Sequence, residues 1–125
     1  VNGQTVQATL ERGFVRVTRE WRAGDVIHVY LPTPVHRVLA HEAVEENGGR
    51  AALQRGPLVY ALEQVDHDTP LANRIVPLDT PIGHTFRQDL LGGVEVLTGP
   101  DLLAVPYYAW ANRGRGEMVV WLRYR

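Results

Sequence analysis

Short runs of alternating apolar and polar residues, separated by turn-forming clusters, organise most of this chain. In "FVRVTREW", Phe14 to Trp21, the residues Val15, Val17 and Trp21 alternate with Arg16, Thr18 and Arg22, a period of two interrupted only at Arg19. That pattern predicts a half-buried strand. "RAGD", residues 22–25, supplies a Gly-containing connection into "VIHVYL", where Ile27, Val29 and Leu31 share one face and Val26, His28 and Tyr30 the other. The two runs together predict a β-hairpin. "PTP" at 32–34 punctuates the entry to "VHRVLAHEAV", a further strand, because each proline fixes φ and removes a ladder donor. "EENGGR", residues 45–50, is the strongest turn signal, since Asn-Gly-Gly tolerates positive φ.

"AALQRGPLVYALE" places two β-prone runs around Arg55-Gly56-Pro57, which reads as a bulge or sharp bend between short strands. Residues 66–93 carry three of the eight prolines and little periodicity, so they read as a long irregular crossing between sheets with one short strand near Ile75 and Val76. "VEVLTG" and "EMVVWLRYR" close the chain as strands, the latter alternating Met118, Val120, Leu122 and Tyr124 against Val119, Trp121 and Arg123. Nothing shows helical periodicity over a dozen residues. The fold class expected is all-β, an antiparallel β-sandwich of jelly-roll or Greek-key type with little or no helix.

Composition narrows function mainly by exclusion. A net charge of -1, with acids and arginines interleaved, offers no field for nucleic acid or anionic lipid. The apolar runs are too short for a membrane span, and the first residues lack a signal-peptide pattern, so a soluble, cytoplasmic chain is expected. The sequence contains no Cys, no Ser and no Lys. That removes disulfides, thiolate nucleophiles, cysteine zinc sites, the Ser-His-Asp triad and Schiff-base amines.

The remaining candidates are weighed against plainer roles. His36 and His41, five apart on an expected strand, point to opposite faces and do not share a metal. His67, between Asp66 and Asp68, reads as a solvated loop residue rather than an ion ligand, and His28 and His84 show no partner. Carboxylate pairs such as Glu42 with Glu63, or Asp89 with Glu95, are the type that hydrolyses glycosides, but spacing does not rank them. "VPYYAWANRGRGEMVVW", residues 105–121, gathers Tyr107, Tyr108 and Trp110. Aromatics are more often core than ligand platform, and in an extended chain only one of the adjacent tyrosines faces out. A carbohydrate-binding reading would use Trp21, Tyr108 and Trp110 as stacking faces and Arg113 for sugar hydroxyls.

The stretches "GFVRVTREWRAGDVIHVYLPTPVHRV", "GRAALQRGPLVYALEQVD", "RQDLLGGVEVL" and "VPYYAWANRGRGEMVVWL" resemble, in order, the C-terminal region of glycoside hydrolase family 127, the β-L-arabinofuranosidase family. The resemblance covers nearly the whole chain. It implies an upstream (α/α)6 barrel that carries catalysis, with a cysteine nucleophile, a zinc ion held by further cysteines and a glutamate, and a glutamate acid/base. The β-sandwich domains that follow are non-catalytic. None of those catalytic residues maps onto this chain, so no catalytic, cofactor-binding or metal residue is expected in it. The same resemblance makes residues 1–46 the closing strands of one sandwich and 48–125 a second; because a partial sandwich exposes unpaired edges, either 1–125 packs as one composite sandwich or another chain completes the sheet. The connection between Leu97 and Val105 is shorter than the family's usual one. The partners implied are the upstream barrel and another copy meeting exposed strand edges, with no nucleic acid and no membrane.

Overall fold

At Arg12 and Gly13 the backbone takes φ of 50° and 85°, the two consecutive positive values of a type I′ two-residue hairpin turn. This turn joins β1 (Thr9–Glu11) to β2 (Phe14–Arg16), paired antiparallel from Thr9↔Arg16 to Glu11↔Phe14. The computed structural model describes residues 1–125, and its backbone divides into two compact units, Val1–Pro32 and Thr33–Arg125. In the first unit the strand expected over Phe14–Trp21 ends at Arg16, and Val26–Leu31 joins no ladder. The turn predicted between them does form. Asp25 accepts the Arg22 N–H, and Asn2 clasps it by donating from Nδ2 to Asp25 Oδ1 while accepting the Val26 N–H. The Arg22 N–H, with Asn2 next, holds the Asp25 carboxyl below its ordinary range.

The second unit begins with β3 (Val35–Leu39), which pairs along its full length with β4 (Arg50–Arg55). A 3₁₀ turn at Glu45–Asn47 and Gly49 at φ +74° carry the chain between them. Gly56 and Pro57 take the sharp bend rather than the bulge. They form the two-residue turn of a hairpin from β4 into β5 (Leu58–Glu63), closed by the pair Arg55↔Leu58. Gly56 sits at φ +55°, and a Cβ there would lie 2.8 Å from Thr33 Cγ2, so both conformation and space demand glycine. After 3₁₀ turns at Gln64–Asp66 and Leu71–Asn73 comes β6 (Gly83–Arg87), a strand inside what reads as irregular sequence. Its side chains are mostly exposed, so it lacks the hydrophobic alternation of a half-buried strand. The strand expected at Ile75 and Val76 reduces to one parallel bridge, Ile75↔Arg123.

β7 (Val94–Gly99) and β8 (Leu102–Pro106) form a hairpin in place of the single strand predicted there. The last run splits into β9 (Met118–Val119) and β10 (Leu122–Arg123), with Val120 and Trp121 breaking it. The order is β10-β4-β5-β8-β7-β6, with β3 also on β4 and β9 on β5. Because β3 fills one edge of β4, the β5 and β10 pairings share the other, β5 at Leu53–Arg55 and β10 at Arg50–Ala51. All these pairings are antiparallel, no helix exceeds three residues, and the sheet curls into a half-barrel. The fold is all-β.

Alternation along the strands sorts the side chains to two sides of the curl. Leu53, Tyr60, Leu62, Leu97, Ala104 and Leu122 make the main core, joined by Leu71 and Val76 from the long crossing. Val94, Val96, Val105 and Ala109 make a second cluster, against which Leu103 and Trp110 pack. Ala61 and Glu63 share the second side of β5, so Glu63 leaves the sheet beside the chain that follows β8. No helix is long and apolar enough to cross a membrane.

Candidate functional site

After Pro106 the chain leaves β8 in a 3₁₀ turn over Tyr107–Ala109 rather than continuing extended. The one-in, one-out expectation for the tyrosines therefore fails. Both face outward, 49% and 68% exposed, while Ala109 is the buried residue of the turn and Trp110 packs half-buried on the second cluster. The Tyr107 and Trp110 rings lie 6.3 Å apart between centroids, tilted by 47°. This spacing falls within the range of favourable aromatic pairs.

A buried carboxylate fixes this turn. Glu63 Oε1 accepts the N–H of Ala111 at 2.9 Å, and Glu63 Oε2 accepts from Arg113 Nη2 at 2.5 Å. Ala111 occupies φ +65°, unusual for a residue with a Cβ, so the Glu63 bond holds a strained position. Asn112 Nδ2 donates to the carbonyls of Ala109 and Trp110, closing the loop from its other side. Arg113 also forks onto Asp66, Nη1 to Oδ1 and Nη2 to Oδ2, both at 2.6 Å. A planar guanidinium matched to a carboxylate in this way gives direction as well as charge. Asp66 first and Glu63 after it, opposed by burial, hold the Arg113 guanidinium well above its ordinary pKa.

His67 is buried, contrary to the solvated-loop reading. Its Nδ1 lies 2.8 Å from the Glu63 carbonyl, which only accepts, so Nδ1 carries the proton. Nε2 in turn accepts the Leu103 N–H at 3.3 Å. The ring is a neutral stitch between the end of β5 and β8, with both nitrogens engaged. His84 likewise gains a partner invisible in the sequence, Glu95 Oε1 at 2.5 Å across the β6–β7 ladder. Three of the four carboxylates entertained as hydrolytic pairs are matched with bases, Glu63 with Arg113, Asp89 with Arg87, and Glu95 with His84 and Arg55, while Glu42 is exposed and forms no ion pair.

Of the proposed stacking residues, Trp110 and Tyr108 share the turn that Arg113 anchors. Trp21 belongs to the first unit, where the Arg19 guanidinium lies 5.2 Å from its ring centroid. The acidic partners of Arg113 were not among the residues singled out with it. They stand 47 and 50 positions earlier, a separation that no local period reveals. No three His, Asp or Glu side chains converge as a metal-ligand set, and the chain has no cysteine to supply the thiolate donors that the family resemblance implies for zinc.

These features define an all-β domain, in which buried ion pairs brace an exposed aromatic turn. The family model for the glycoside hydrolase family 127 C-terminal domain matches residues 35–123, and the chain belongs to that family. It is 34% identical over 156 aligned positions to the non-reducing end β-L-arabinofuranosidase of Bifidobacterium longum subsp. longum, covering 98% of this chain and 23% of that protein. Among solved structures, it resembles a family 127 β-L-arabinofuranosidase from Geobacillus stearothermophilus at 44% identity and a TM-score of 0.70, over 75% of this chain and 19% of that one. A second family 127 β-arabinofuranosidase matches 99% of this chain and 22% of its own at 33% identity, with a TM-score of 0.88. The chain thus spans less than a quarter of the length of these relatives.

Proposed function

We propose that this chain is the non-catalytic C-terminal region of a larger hydrolase acting on β-L-arabinofuranosides, where it supports an upstream (α/α)6 catalytic barrel. The observation that carries this reading is the coverage: almost all of the chain aligns with a small fraction of the arabinofuranosidase relatives. The ion-pairing of Glu63, Asp89 and Glu95 agrees with it, since a carboxylate held by an arginine or histidine is poorly placed to act as a free glycosidic acid. In this reading residues 1–46 supply the closing strands of one sandwich and 48–125 form a second, of jelly-roll or Greek-key type, with β3 pairing across that division. The chain needs no cofactor of its own, zinc belonging to the barrel. It works in the cytoplasm without nucleic-acid or membrane partners, and a second copy meets its exposed strand edges. The 125-residue chain should not hydrolyse a nitrophenyl β-L-arabinofuranoside, whereas the same chain joined to its barrel should. Hydrolysis by the short chain, abolished by one Glu or Asp substitution, would overturn the proposal.

A second reading, a carbohydrate-binding surface built on Tyr108 and Trp110 with Arg113, is favoured by one observation: both Tyr107 and Tyr108 face solvent. Arg113, held by Asp66 and Glu63, then acts by bracing the turn. Calorimetric binding of arabino-oligosaccharides that is lost in Tyr108→Ala would support it. Absence of heat at millimolar sugar would remove it.

A further inference from the structure

Arg50 and Arg123 are direct cross-strand partners in the β4–β10 ladder. Like charges opposite one another destabilise a sheet pair, and neither guanidinium forms an ion pair that would relieve the repulsion. Both line a cleft of about 390 Å³, a volume within the range of small-molecule sites. Arg74 lines it too. Its side chain is only 7% exposed and its neutralising partner, Asp101 at 3.0 Å, is 81% exposed, so solvent screens the carboxylate far more than the guanidinium. Arg74 Nη1 donates to Asp101, but Nε and Nη2 are buried with no partner at all. Three arginines thus face one acid, Glu117, across a cleft whose wall includes the half-buried indole of Trp121.

The like-charge pair at the cleft mouth is exposed, so water softens its repulsion without removing it, and an external anion seated between Arg50 and Arg123 removes the rest. The unpaired donors of Arg74 stay covered, so Arg74 contributes charge rather than a contact. Arginine forks match a carboxylate in two-point geometry, and an indole face accommodates the apolar face of a ring. We infer that the cleft bounded by Arg50, Arg74, Arg123 and Trp121 binds a carboxylate-bearing ring, of the sugar-acid class. Arg50 and Arg123 grip the carboxylate, Trp121 stacks on the ring, and the charge of Arg74 beneath them raises the local potential. This site lies apart from the aromatic turn at Tyr107–Trp110 and does not depend on the supporting role proposed above.

The test titrates the 125-residue chain with galacturonate, with acetate and arabinose as partial probes, following heat and tryptophan fluorescence. Galacturonate at millimolar concentration should bind and change the fluorescence, acetate should bind more weakly, and arabinose should not bind. The signal should persist in Trp110→Phe and disappear in Trp121→Phe. Arg50→Gln with Arg123→Gln should weaken binding by at least about tenfold, as loss of a charged hydrogen-bonding pair predicts. Added salt should weaken it as well. Thermal melting keeps the test open to failure: because the two guanidinia repel, Arg50→Gln alone should melt no lower than the parent while still weakening galacturonate. No binding, equal binding of arabinose, or affinity unchanged in Arg50→Gln would overturn the inference.

Discussion

Replacing Arg113 with methionine isolates what the ion-pair cluster contributes, because methionine keeps the aliphatic stem and removes the fork. Three short bonds disappear: two to Asp66 at 2.6 Å and one to Glu63 at 2.5 Å. Each charged hydrogen bond stabilises a fold by about 1.5–3 kcal/mol, but three bonds from one group do not add, and the exposed part of the cluster is screened. The larger effect is on what remains. Glu63 and Asp66, with side chains 8% and 14% exposed, become neighbouring buried carboxylates without a cation. Orphaning one side of a buried pair typically costs 3–5 kcal/mol. Discounted for the partial exposure of Arg113, about 3 kcal/mol is expected, or roughly 10 °C in Tm for a chain of this size. Scanning calorimetry at neutral pH measures it. Arg113→Lys should recover part of the loss, since it restores charge without the two-point geometry. A deficit under about 1 kcal/mol, or one that Arg113→Lys does not reduce, would refute the reasoning, by placing the cluster among solvated surface pairs.

Gly56→Ala should cost about 1–3 kcal/mol by chemical denaturation, from the left-handed backbone and the contact with Thr33; adding Thr33→Ala should restore only the steric part. Tyr60 is buried with an unpartnered hydroxyl, so Tyr60→Phe should leave stability within about 0.5 kcal/mol or raise it. Burial pushes the Tyr60 phenol up, so above its ordinary value of 10.0 the unfolded chain ionises first and parent stability falls with rising pH. Tyr60→Phe should lose that part of the alkaline slope. The Asp89 carboxyl, held by the Arg87 guanidinium, is lowered from 3.8 to about 2, so its contribution is present above the ordinary value and lost as pH falls towards about 2. NMR titration should show the low value, and Arg87→Gln should move it back up.

What was legible in the sequence follows from how locally each feature is encoded. "AALQRGPLVYALE" announces its strands because alternation, glycine and proline all act within a few residues, and β4 and β5 form there. β6 was hidden because an exposed strand needs no apolar face; it is held by five backbone pairs to β7, which any sequence without proline can supply. β8 was obscured for the opposite reason. Leu102–Pro106 is apolar on both sides, feeding the main core through Leu102 and Ala104 and the second cluster through Val105, so no period of two marks it. The brace at Arg113 was legible as an arginine in a turn, but its partners depend on β5 and the chain after β8 meeting in three dimensions.

The N-terminal unit shows the limit of periodicity from another direction. Alternation records which face of a residue run is meant to be buried; it does not supply the neighbour that buries it. Val26, Ile27, Val29, Tyr30 and Leu31 form a β-prone run, yet lie exposed and outside any ladder, and Leu10, Phe14 and Val15 are exposed in the β1–β2 hairpin of the same unit. A two-stranded hairpin alone is marginal in water, because neither face finds a partner surface. The predicted Phe14–Leu31 strands are therefore better read as half of a sheet whose pattern is already written. Extending the chain towards the full length of its family 127 relatives should bury these side chains, and hydrogen exchange at Val26–Leu31 should slow accordingly; unchanged fast exchange there in the longer chain would mean that this run serves no sheet.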